Sequence, residues 1–516
     1  MAHFLTERYK HKIKTREELR DIFGSRPRDK KIIMCHGVFD VVHPGHIRHL
    51  LYAKSKADIL LVSLTADIHI TKGRDRPHVP QELRALNLAA FELVDYVLID
   101  VRNAPLENIA YLQPDFFAKG YEYIAEGMHP KTSEEAKVLG EYGGESIFTP
   151  GDFVYSSTNL IQMAPPAIKV EKLITLMDRE KVSFDDLRES LGRFAGKRVH
   201  VVGDTIVDSY TQTAMIGGGS KTPTLSLLYE DRKDYVGGAA IVAAHLRSAG
   251  AEVVFSTVLG DDPLNPFVQE QLKTWGVASK ALTSNARPTT NKNAIVCGGY
   301  RLVKIDTVDN RSISDKMLGN LVESIKTVPC DALVFSDFRH GIFNRRTIPP
   351  LVAAIPGNVY RVADSQVASR WGNITEFQGF DLITPNEREA RFALGDQDTG
   401  VRPLAVRLYE KAQCKTLILK LGDRGMLTCR GGDHESLDSF LVLDSFTENL
   451  VDAVGAGDAL LAYSTLGMLT TGNVAIATIL GGLAAACECE RDGNHPITPA
   501  YVIEKLDQIQ KQADFA

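Results

Sequence analysis

Two histidines near the N-terminus stand where a predicted strand gives way to a helix. The segment GVFDVVHPGH carries His43 and His46 between the apolar run KIIMC and a helical pattern. A helix that begins at the end of a strand directs its first amides and the positive end of its dipole towards one point. Two imidazoles at that start can reach the same phosphate, and Gly45 leaves room for it to approach. The pattern predicts a phosphate-handling site.

A second candidate site is the segment DAVGAGD, which precedes a helical run of small residues. Gly455 and Gly457 allow backbone amides to close around a phosphoryl group, and Asp458 can accept a proton from an attacking hydroxyl. A Walker A loop is not formed by GGGSKT at 217–222, because Ser220 stands where that motif needs glycine. The pattern favours a kinase of another type.

Simpler interpretations exist for both segments. The histidines at 36, 43, 46 and 49 are also consistent with a metal site or with helix-face residues that have no catalytic role. The glycines and aspartates of the second segment are also common as turn and capping residues at junctions between strands and helices. Cys487 and Cys489 form an isolated C-x-C pair without a second pair that would complete a zinc site.

Strands that alternate with helices must position these residues. The runs KIIMC, DILLVSL and YVLID alternate with helical patterns and predict a parallel sheet covered on both faces. Ala164-Pro165-Pro166 interrupts the pattern, and an amphipathic helical connector follows it. A second series of strands and helices begins at Lys197. We predict domains at 1–165 and 196–516, joined by a helical linker at 166–195.

The N-terminal motif resembles the cytidylyltransferase-like nucleotidyltransferases, in which H-x-G-H follows G-x-F-D. The resemblance implies a small Rossmann-like domain in which His43, His46 and Lys119 are catalytic and stabilise charge while pyrophosphate leaves. Further motif positions occur in the family's order in ITKGRDRP, QELRALNL and VYSSTNLI. By the same resemblance, the nucleotide and phosphate contacts are Gly37, Phe39, Asp40, Gly45, Lys72, Arg84, Ser156, Ser157 and Thr158.

The rest of the chain resembles the ribokinase-like (PfkB) sugar kinases from Lys197 to about Ile503. The resemblance implies a doubly wound α/β domain with a small β lid, in which Asp458 is the base. The substrate contacts implied are Asp204, Asp208, Gly237 and Gly238. The implied nucleotide and phosphate contacts are Asn386, Glu389, Lys420, Gly422, Gly425, Gly455, Ala456 and Gly457, with Glu389 also linked to Mg²⁺.

Two positions depart from the kinase pattern. Ile241-Val242 stand where the family often has an asparagine that contacts sugar hydroxyls, which leaves the identity of the sugar open. Ala453 follows Asp452 where threonine is usual, which removes a hydroxyl but keeps the backbone amides and Asp458. We expect catalysis to survive both changes.

The two modules together resemble the bifunctional heptose-phosphate kinases and heptose-1-phosphate nucleotidyltransferases (ADP-heptose synthase-like), with the domain order inverted. The resemblance implies a transferase that uses Mg²⁺, ATP in the kinase and ATP or CTP in the nucleotidyltransferase, and that makes a nucleotide-activated heptose. Alternatives are the same two reactions on another sugar or polyol with CTP, or one active domain beside a nucleotide-binding regulatory module.

Composition narrows the class of protein and its partners. The chain has 516 residues, too many for one hydrophobic core, and 44% of them are hydrophobic. A net charge of -6 gives no basic surface for a phosphate backbone, so we expect no nucleic-acid partner. The resemblance implies a sugar or sugar phosphate as the partner. The charged N-terminus and seven scattered cysteines favour a cytoplasmic enzyme. The stretch Val474 to Cys487 is shorter than the ~20 residues that span a bilayer, so we expect no membrane contact.

Ribokinase-like kinases often pair through the lid sheet. The polar strands in TAMIGG, TPTLSLLYEDRKDYV and RPTTNKNAIVCGGYRLVKID are candidates for such a lid. By that resemblance we expect a homodimer formed through the kinase domain.

Overall fold

The computed structural model describes residues 8–70, 76–102, 104–120, 130–149, 169–218, 225–366, 373–431, 433–434, 436–491, 493 and 495–515. Strands and helices alternate in its N-terminal part, as the apolar runs predict. The elements there are α1 (Arg16–Phe23), β1 (Ile32–Gly37), α2 (Pro44–Lys54), β2 (Ile59–Thr65), a 3-10 turn (Asp67–His69), α3 (Gln81–Ala89), β3 (Tyr96–Asp100), α4 (Leu106–Leu112), β4 (Phe116–Gly120), α5 (Pro130–Gly140) and β5 (Glu145–Thr149).

The N-terminal strands form one parallel sheet in the order β3-β2-β1-β4-β5. Along β1, Ile33 and Cys35 belong to one apolar cluster, while Ile32 and Met34 belong to a second. Because successive side chains of a strand point to opposite faces, both faces of this sheet are buried. The strand order reverses between β1 and β4, and ligands of open α/β sheets bind at such a point. This arrangement confirms the predicted Rossmann-like fold.

Two helices occupy the segment predicted as a linker, namely α6 (Lys169–Glu180) and α7 (Phe184–Gly192). Leu173 and Leu187 on these helices are buried in the same apolar cluster as the strands of the C-terminal sheet. Helix α7 begins with a capping box, in which Ser183 and Asp186 each bond the other's backbone N–H. The segment therefore packs as part of the C-terminal core. The domain boundaries at 165 and 196 stay a prediction.

The C-terminal part continues the alternation of strands and helices. Its elements are β6 (Arg198–Gly203), β7 (Thr205–Gly218), β8 (Leu225–Gly238), α8 (Ala239–Ser248), β9 (Glu252–Gly260), α9 (Leu264–Thr274), β10 (Ala278–Ser284), β11 (Asn291–Cys297), β12 (Tyr300–Thr307), α10 (Asp315–Thr327), β13 (Ala332–Asp337), α11 (Ile348–Ala353), β14 (Tyr360–Ser365), β15 (Leu382–Ile383), α12 (Glu387–Leu394), α13 (Val401–Ala412), β16 (Thr416–Lys420), β17 (Met426–Arg430), β18 (Phe440–Leu443), α14 (Ala456–Thr471), α15 (Val474–Cys489) and α16 (Pro499–Phe515).

These strands form a large sheet and a small one. The large sheet has the order β10-β9-β6-β13-β14-β15-β16-β17-β18, parallel as far as β16 and antiparallel at β17 and β18. The small sheet has the order β12-β11-β7-β8. Apolar clusters flank the large sheet, whereas every residue of β12 is exposed. The predicted doubly wound domain with a β lid is confirmed.

Two long apolar helices, α14 and α15, pack against each other inside the C-terminal domain. Most residues of α15 are buried, as expected for a helix that is apolar on all sides. Among the described helices, none combines the length and the hydropathy that a membrane crossing requires. All seven cysteines are free thiols.

Candidate active sites

The two histidines of the N-terminal motif lie together at the start of α2. His43 is the cap residue of this helix, and its Nδ1 accepts a hydrogen bond from the backbone N–H of Gly45 at 3.2 Å. The ring centroids of His43 and His46 are 4.0 Å apart, and the ring of Phe39 lies 5.1 Å from that of His46. The capping bond fixes the orientation of the His43 ring. Both imidazoles therefore border the same helix start, where an anion is favoured.

Both imidazoles are neutral near pH 7 in the ligand-free protein. Burial lowers the pKa of His43. Burial, together with the neighbouring His43 and His49, lowers the pKa of His46 to about 4. The buried Nδ1 of His46 has no hydrogen-bond partner. An anion at this point would favour the protonated rings and would give the Nδ1 of His46 a hydrogen-bond partner.

The turn between β1 and α2 depends on two glycines. A Cβ on Gly37 would lie 3.0 Å from the ring of Phe39, which has a positive φ of 48°. A Cβ on Gly45 would lie 2.9 Å from the His43 ring. The absence of a side chain at Gly45 therefore makes room for the imidazole of His43, whereas the sequence predicted that it makes room for a phosphate.

Asp40 acts within this turn as an internal acceptor. Its carboxylate accepts hydrogen bonds from the backbone N–H of Val79 at 2.8 Å and from Arg76 at 3.1 Å. The side chain is buried. Asp40 thus anchors the segment that leads into α3, and its predicted contact with a nucleotide stays a prediction.

Arg84 binds several acceptors inside the N-terminal domain. Its side chain is 0% exposed, and its Nε donates to the carbonyl of Val79 at 2.9 Å. The remaining donors reach the carbonyl oxygens of Val38 and Thr65 and the carboxylate of Asp67. These four hydrogen bonds hold the guanidinium inside the domain, and its predicted contact with a phosphate stays a prediction.

Lys119 lies at the end of β4, beside β1. Its Nζ pairs with the carboxylate of Glu135 on α5 and lies 3.3 Å from the hydroxyl of Thr132. After burial, the charge of Lys119 is the second cause that lowers the pKa of His36 to about 4. The structure thus places Lys119 close to the carboxyl end of β1. Lys72, Ser156, Ser157 and Thr158 lie outside the described residues.

The other two histidines near the motif bind neighbouring hydroxyls. The ring nitrogens of His36 lie 2.9 Å from the hydroxyl of Ser63 and 3.2 Å from that of Thr65. His49 is 2.9 Å from the hydroxyl of Thr149. Across the described ranges, no three His, Cys, Asp or Glu side chains converge as metal ligands.

The glycine turn of the C-terminal domain places Asp458 in a buried position. Gly455 has a φ of 85°, which glycine adopts readily, and α14 begins at Ala456. Asp458 is 8% exposed, and its Oδ1 has no hydrogen-bond partner. Burial, together with the nearby Asp364 carboxylate, raises the pKa of Asp458 to about 8. With this pKa the carboxyl holds a proton near neutral pH, and its deprotonated form, with one oxygen unpaired, can accept a proton from a hydroxyl.

Lys420 provides positive charge beside this turn. Its Nζ lies 3.1 Å from an oxygen of Asp364 and would lie 3.1 Å from a Cβ on Gly457. Burial alone would lower the pKa of Lys420, but the carboxylates of Asp364 and Glu389 raise it. The ammonium group is therefore charged next to the backbone that is predicted to bind a phosphoryl group.

Asn386 and Glu389 form a capping box at the start of α12. The Glu389 carboxylate accepts from the backbone and the side-chain nitrogens of Asn386, both at 2.7 Å, and the Glu389 N–H donates to the Asn386 side chain at 2.8 Å. Asn386 also forms a β-bridge with Lys420. The pair is thus fixed beside Lys420, while its predicted contacts with phosphate and metal stay predictions.

Two glycines shape the turn between β16 and β17. Gly422 and Gly425 have φ values of 68° and 86°. A Cβ on Gly425 would also collide with the carbonyl oxygen of Leu443. The local backbone therefore requires glycine at position 425, and the predicted nucleotide contacts of this turn stay predictions.

The predicted substrate residues meet where β6, the lid and α8 join. The Asp204 carboxylate accepts backbone N–H bonds from Phe338, His340 and Ile342 at 3.1 to 3.3 Å. Gly238 has a φ of 63°, and a Cβ there would lie 2.5 Å from the carbonyl oxygen of Asp204. Gly237 precedes it at the buried end of β8. Asp204 therefore holds the chain after β13 in place.

The lid contributes Asp208 to the same region. Burial raises the pKa of Asp208, and the charge of Asp208 in turn raises that of Asp458. The structure thus brings a lid carboxylate close to the predicted base, although the two are 250 positions apart in the sequence.

The sequence motifs missed several charged residues near these sites. Asp364 is the next-to-last residue of β14, a buried parallel strand. Functional residues often lie at the carboxyl ends of such strands, so this position could have been identified from the sequence. Arg287 and His340 line a cavity together with Asp204, and burial lowers the pKa of the nearby Lys292. These basic residues come from separate loops and strands. No spacing in the sequence joins them.

Comparison with known proteins agrees with the two modules. The model of the pfkB family of carbohydrate kinases matches residues 197–500, and the cytidylyltransferase-like model matches residues 34–181. The predicted order, with the cytidylyltransferase-like module first, is confirmed. Solved structures have a similar fold. Phosphofructokinase-2 from Escherichia coli, in complex with potassium, matches with a TM-score of 0.51 and 15% identity, and the match covers 61% of this chain and 99% of that chain.

Curated relatives match part of the chain. The bifunctional protein HldE of Syntrophotalea carbinolica is 36% identical over 165 residues, which are 31% of this chain and 32% of that protein. The bifunctional protein HldE of Campylobacter jejuni subsp. doylei is 43% identical over 117 residues, which are 22% of this chain and 25% of that protein. Each of these matches thus spans about a third or less of the relative's length.

Proposed function

Because the chain belongs to the pfkB family of carbohydrate kinases and carries a cytidylyltransferase-like domain before it, we propose that it catalyses two reactions. The kinase phosphorylates the anomeric hydroxyl of a sugar phosphate, and a separate phosphatase then removes the original phosphate. The N-terminal domain converts the resulting sugar 1-phosphate into a nucleotide-activated sugar, with a heptose as the sugar. The observation that carries the proposal is the presence of two separate sites with suitable reactive groups, the unpaired Asp458 oxygen and the His43–His46 pair.

In the kinase reaction, Asp458 accepts the proton of the attacking sugar hydroxyl. The hydroxyl oxygen forms a bond to the γ-phosphorus of ATP, and the bond to the β,γ-bridging oxygen breaks, which releases ADP. The amides around Gly455 and Gly457 and the ammonium of Lys420 stabilise the negative charge of the transferring group. The missing threonine hydroxyl at Ala453 leaves these donors unchanged.

In the second reaction, a phosphate oxygen of the sugar phosphate attacks the α-phosphorus of a nucleoside triphosphate, and pyrophosphate leaves. His43 and His46 bind the charge that develops on the α-phosphate, and the amides at the start of α2 contribute to this binding. The ion pair with Glu135 holds Lys119 at the end of β4, and we propose that Lys119 binds the phosphates from that edge of the sheet. We propose ATP as the nucleotide, with CTP as the alternative.

The residues of the kinase site are compatible with Mg²⁺. This cation prefers oxygen ligands and is held by one or two carboxylates together with substrate phosphates and water. Glu389 offers a buried carboxylate beside Lys420 and is the residue that would hold the ion. Bound Mg²⁺ would neutralise charge on the phosphates of the nucleotide.

Arg287 and Lys292, near the cavity beside Asp204, support a phosphorylated sugar. Arg287 and His340 line the cavity with Asp204, and Lys292 is close enough for its pKa to respond to the charges of Asp204 and Asp208. Lysine and arginine are the residues that bind a phosphate group, whereas a neutral sugar needs none of them. We therefore favour heptose 7-phosphate over an unphosphorylated sugar or polyol.

We further propose a homodimer formed through the lid. Large apolar side chains are exposed on the lid strands, among them Leu228, Tyr229 and Tyr300. Exposed apolar surface is a feature of many interaction sites. The predicted cytoplasmic location stays a prediction.

A two-part assay tests whether each domain catalyses one of the two reactions. Purified protein with Mg²⁺ receives heptose 7-phosphate or heptose 1-phosphate, each with ATP or CTP, and release of nucleoside diphosphate and of pyrophosphate is measured separately. His46→Ala should abolish pyrophosphate release alone, and Asp458→Asn should lower only nucleoside diphosphate release, by about 10²-fold or more. Loss of both activities in either variant would contradict the assignment. Absence of both activities in the unaltered protein would refute the heptose assignment.

A further inference from the structure

A buried carboxylate joins the two domains. Asp67, in the 3-10 turn after β2, is 2% exposed and lies between two arginines. One oxygen accepts from Arg84 of its own domain, and the other accepts from Arg402 of the kinase domain at 2.6 Å. The backbone N–H of Asp67 also donates to the side chain of Gln81 at 2.9 Å. A carboxylate buried between two guanidinium groups is fixed in position by both.

Arg402 occupies a place where a cation is otherwise unfavourable. It is the second residue of α13, where the positive end of the helix dipole opposes a positive side chain. The side chain is 13% exposed, and its guanidinium lies 5.5 Å from the centre of the Phe440 ring. Among the described residues, Asp67 is its carboxylate partner. The helix therefore tolerates this arginine because the N-terminal domain supplies the compensating charge.

Further contacts show that this interface is ordered. Glu82 of α3 pairs with Arg179 of α6 at 2.7 Å, and Arg179 also donates to the carbonyl of Phe440 at 2.9 Å. Ile68, beside Asp67, packs against the apolar cluster of the kinase domain. The segment around Asp67 is therefore held by ionic and apolar contacts with the kinase domain.

The same contacts lead to the histidine turn. Arg84 binds Asp67 and also donates to the carbonyl oxygen of Val38, which stands between Gly37 and Phe39. Phe39 in turn packs against the ring of His46. A continuous series of contacts thus runs from Arg402 in the kinase domain through Asp67 and Arg84 to the turn that carries the histidines.

We propose that Arg402 is a positioning residue of the N-terminal transfer site, so that the kinase domain holds the histidine turn in its working geometry. The inference deepens the proposed function and rests on it for its activity readout. Displacement of reacting groups by about 1 Å can cost ~10²-fold in rate. A change at Arg402 should therefore reduce pyrophosphate release although this side chain touches no substrate.

The test compares Arg402→Met with Arg407→Met in the full chain. Arg407 lies on the same helix and pairs with Asp396 within the kinase domain, so it controls for the loss of an arginine from α13. Arg402→Met should lower kcat for pyrophosphate release by about tenfold or more and leave the kinase kcat/KM within about twofold of the unaltered protein. Arg402→Lys should restore part of the loss, because it keeps the charge but not the planar fork.

Hydrogen–deuterium exchange provides a readout that does not depend on activity. Peptides that cover residues 36–40 should exchange faster in Arg402→Met than in Arg407→Met, while peptides that cover β16 should exchange equally in both. Equal exchange at residues 36–40 in the two variants would overturn the proposal, as would an equal loss of both activities in Arg402→Met. If the unaltered protein releases no pyrophosphate, the proposed function fails while the exchange experiment still decides the role of Arg402.

Discussion

At the scale of single residues, the buried charge of Asp458 ties catalysis to stability. Burial raises the pKa of this carboxyl to about 8, far above the ~3.9 of an unfolded aspartate. Between these values the folded protein binds a proton that the unfolded chain releases. The stability contributed by this group is therefore fully present below about pH 4 and is lost as the pH rises through about 8. Burial of the ionised Asp458 carboxylate therefore lowers the stability of the fold at the position where the kinase needs a base.

This linkage predicts how Asp458→Asn changes thermal stability. Asparagine has no charge to bury, so the Tm of the variant should rise relative to the unaltered protein between about pH 5 and pH 8 and stay level above about pH 9. A gain of ~1 kcal/mol corresponds to about 2–4 °C in a domain of 150–250 residues. Differential scanning calorimetry at several pH values provides the measurement. Asp185→Asn, at an exposed position, serves as the control. A Tm difference that does not change with pH would contradict the prediction.

Arg84 shows that the order of motifs along the sequence does not predict the hydrogen-bond partners of a residue. The sequence places this arginine in the order of the nucleotidyltransferase family, but the order does not reveal which acceptors surround it. In the folded protein those acceptors are Asp67 and the carbonyl oxygens of Val38, Thr65 and Val79. For Asp458 the local pattern sufficed, because the glycine turn and the helix that fix it are adjacent in sequence.

At the scale of elements, most of the alternation of strands and helices was predictable from apolar runs and turn residues. The role of α6 and α7 was not. Their amphipathic pattern predicts a helical connector, but amphipathicity does not reveal which core receives the apolar face. Leu173 and Leu187 are buried in the kinase core, so these helices are integral to it. Such a contact depends on tertiary packing between segments that are distant in sequence.

The junction between β8 and α8 yields a prediction about backbone conformation. Gly238→Ala should destabilise the protein by more than ~1 kcal/mol, because Gly238 has a φ of 63° and a Cβ would lie 2.5 Å from the carbonyl oxygen of Asp204. Gly319→Ala, inside α10 with open space around it, should instead stabilise the protein by about 1 kcal/mol. Urea unfolding followed by circular dichroism measures both changes. The prediction fails if the two variants unfold at the same urea concentration.

At the scale of the whole molecule, ionic contacts hold the N-terminal domain against the kinase domain. The N-terminal domain lies against α6, α13 and β18, and its charges are complementary to theirs: Asp67 meets Arg402, and Glu82 meets Arg179. Buried ion pairs add little net stability but lose much when one partner is removed. They therefore specify one relative position of the two domains. Sequence motifs within each domain carried no sign of this interface.

The exposed lid leads to a prediction about assembly. Leu228 is 56% exposed on β8, and a partner subunit over the lid would remove it from water. Leu228→Asp should therefore convert a dimer into a monomer, because a carboxylate cannot be buried in such an interface without a partner charge. Ile22→Asp, at a position on α1 that is 45% exposed and distant from the lid, should leave the dimer intact. Analytical ultracentrifugation distinguishes these states. A monomeric unaltered protein, or a Leu228→Asp variant that still dimerises, would exclude the lid as the dimer interface, since the aspartate would then remain in water and cost nothing.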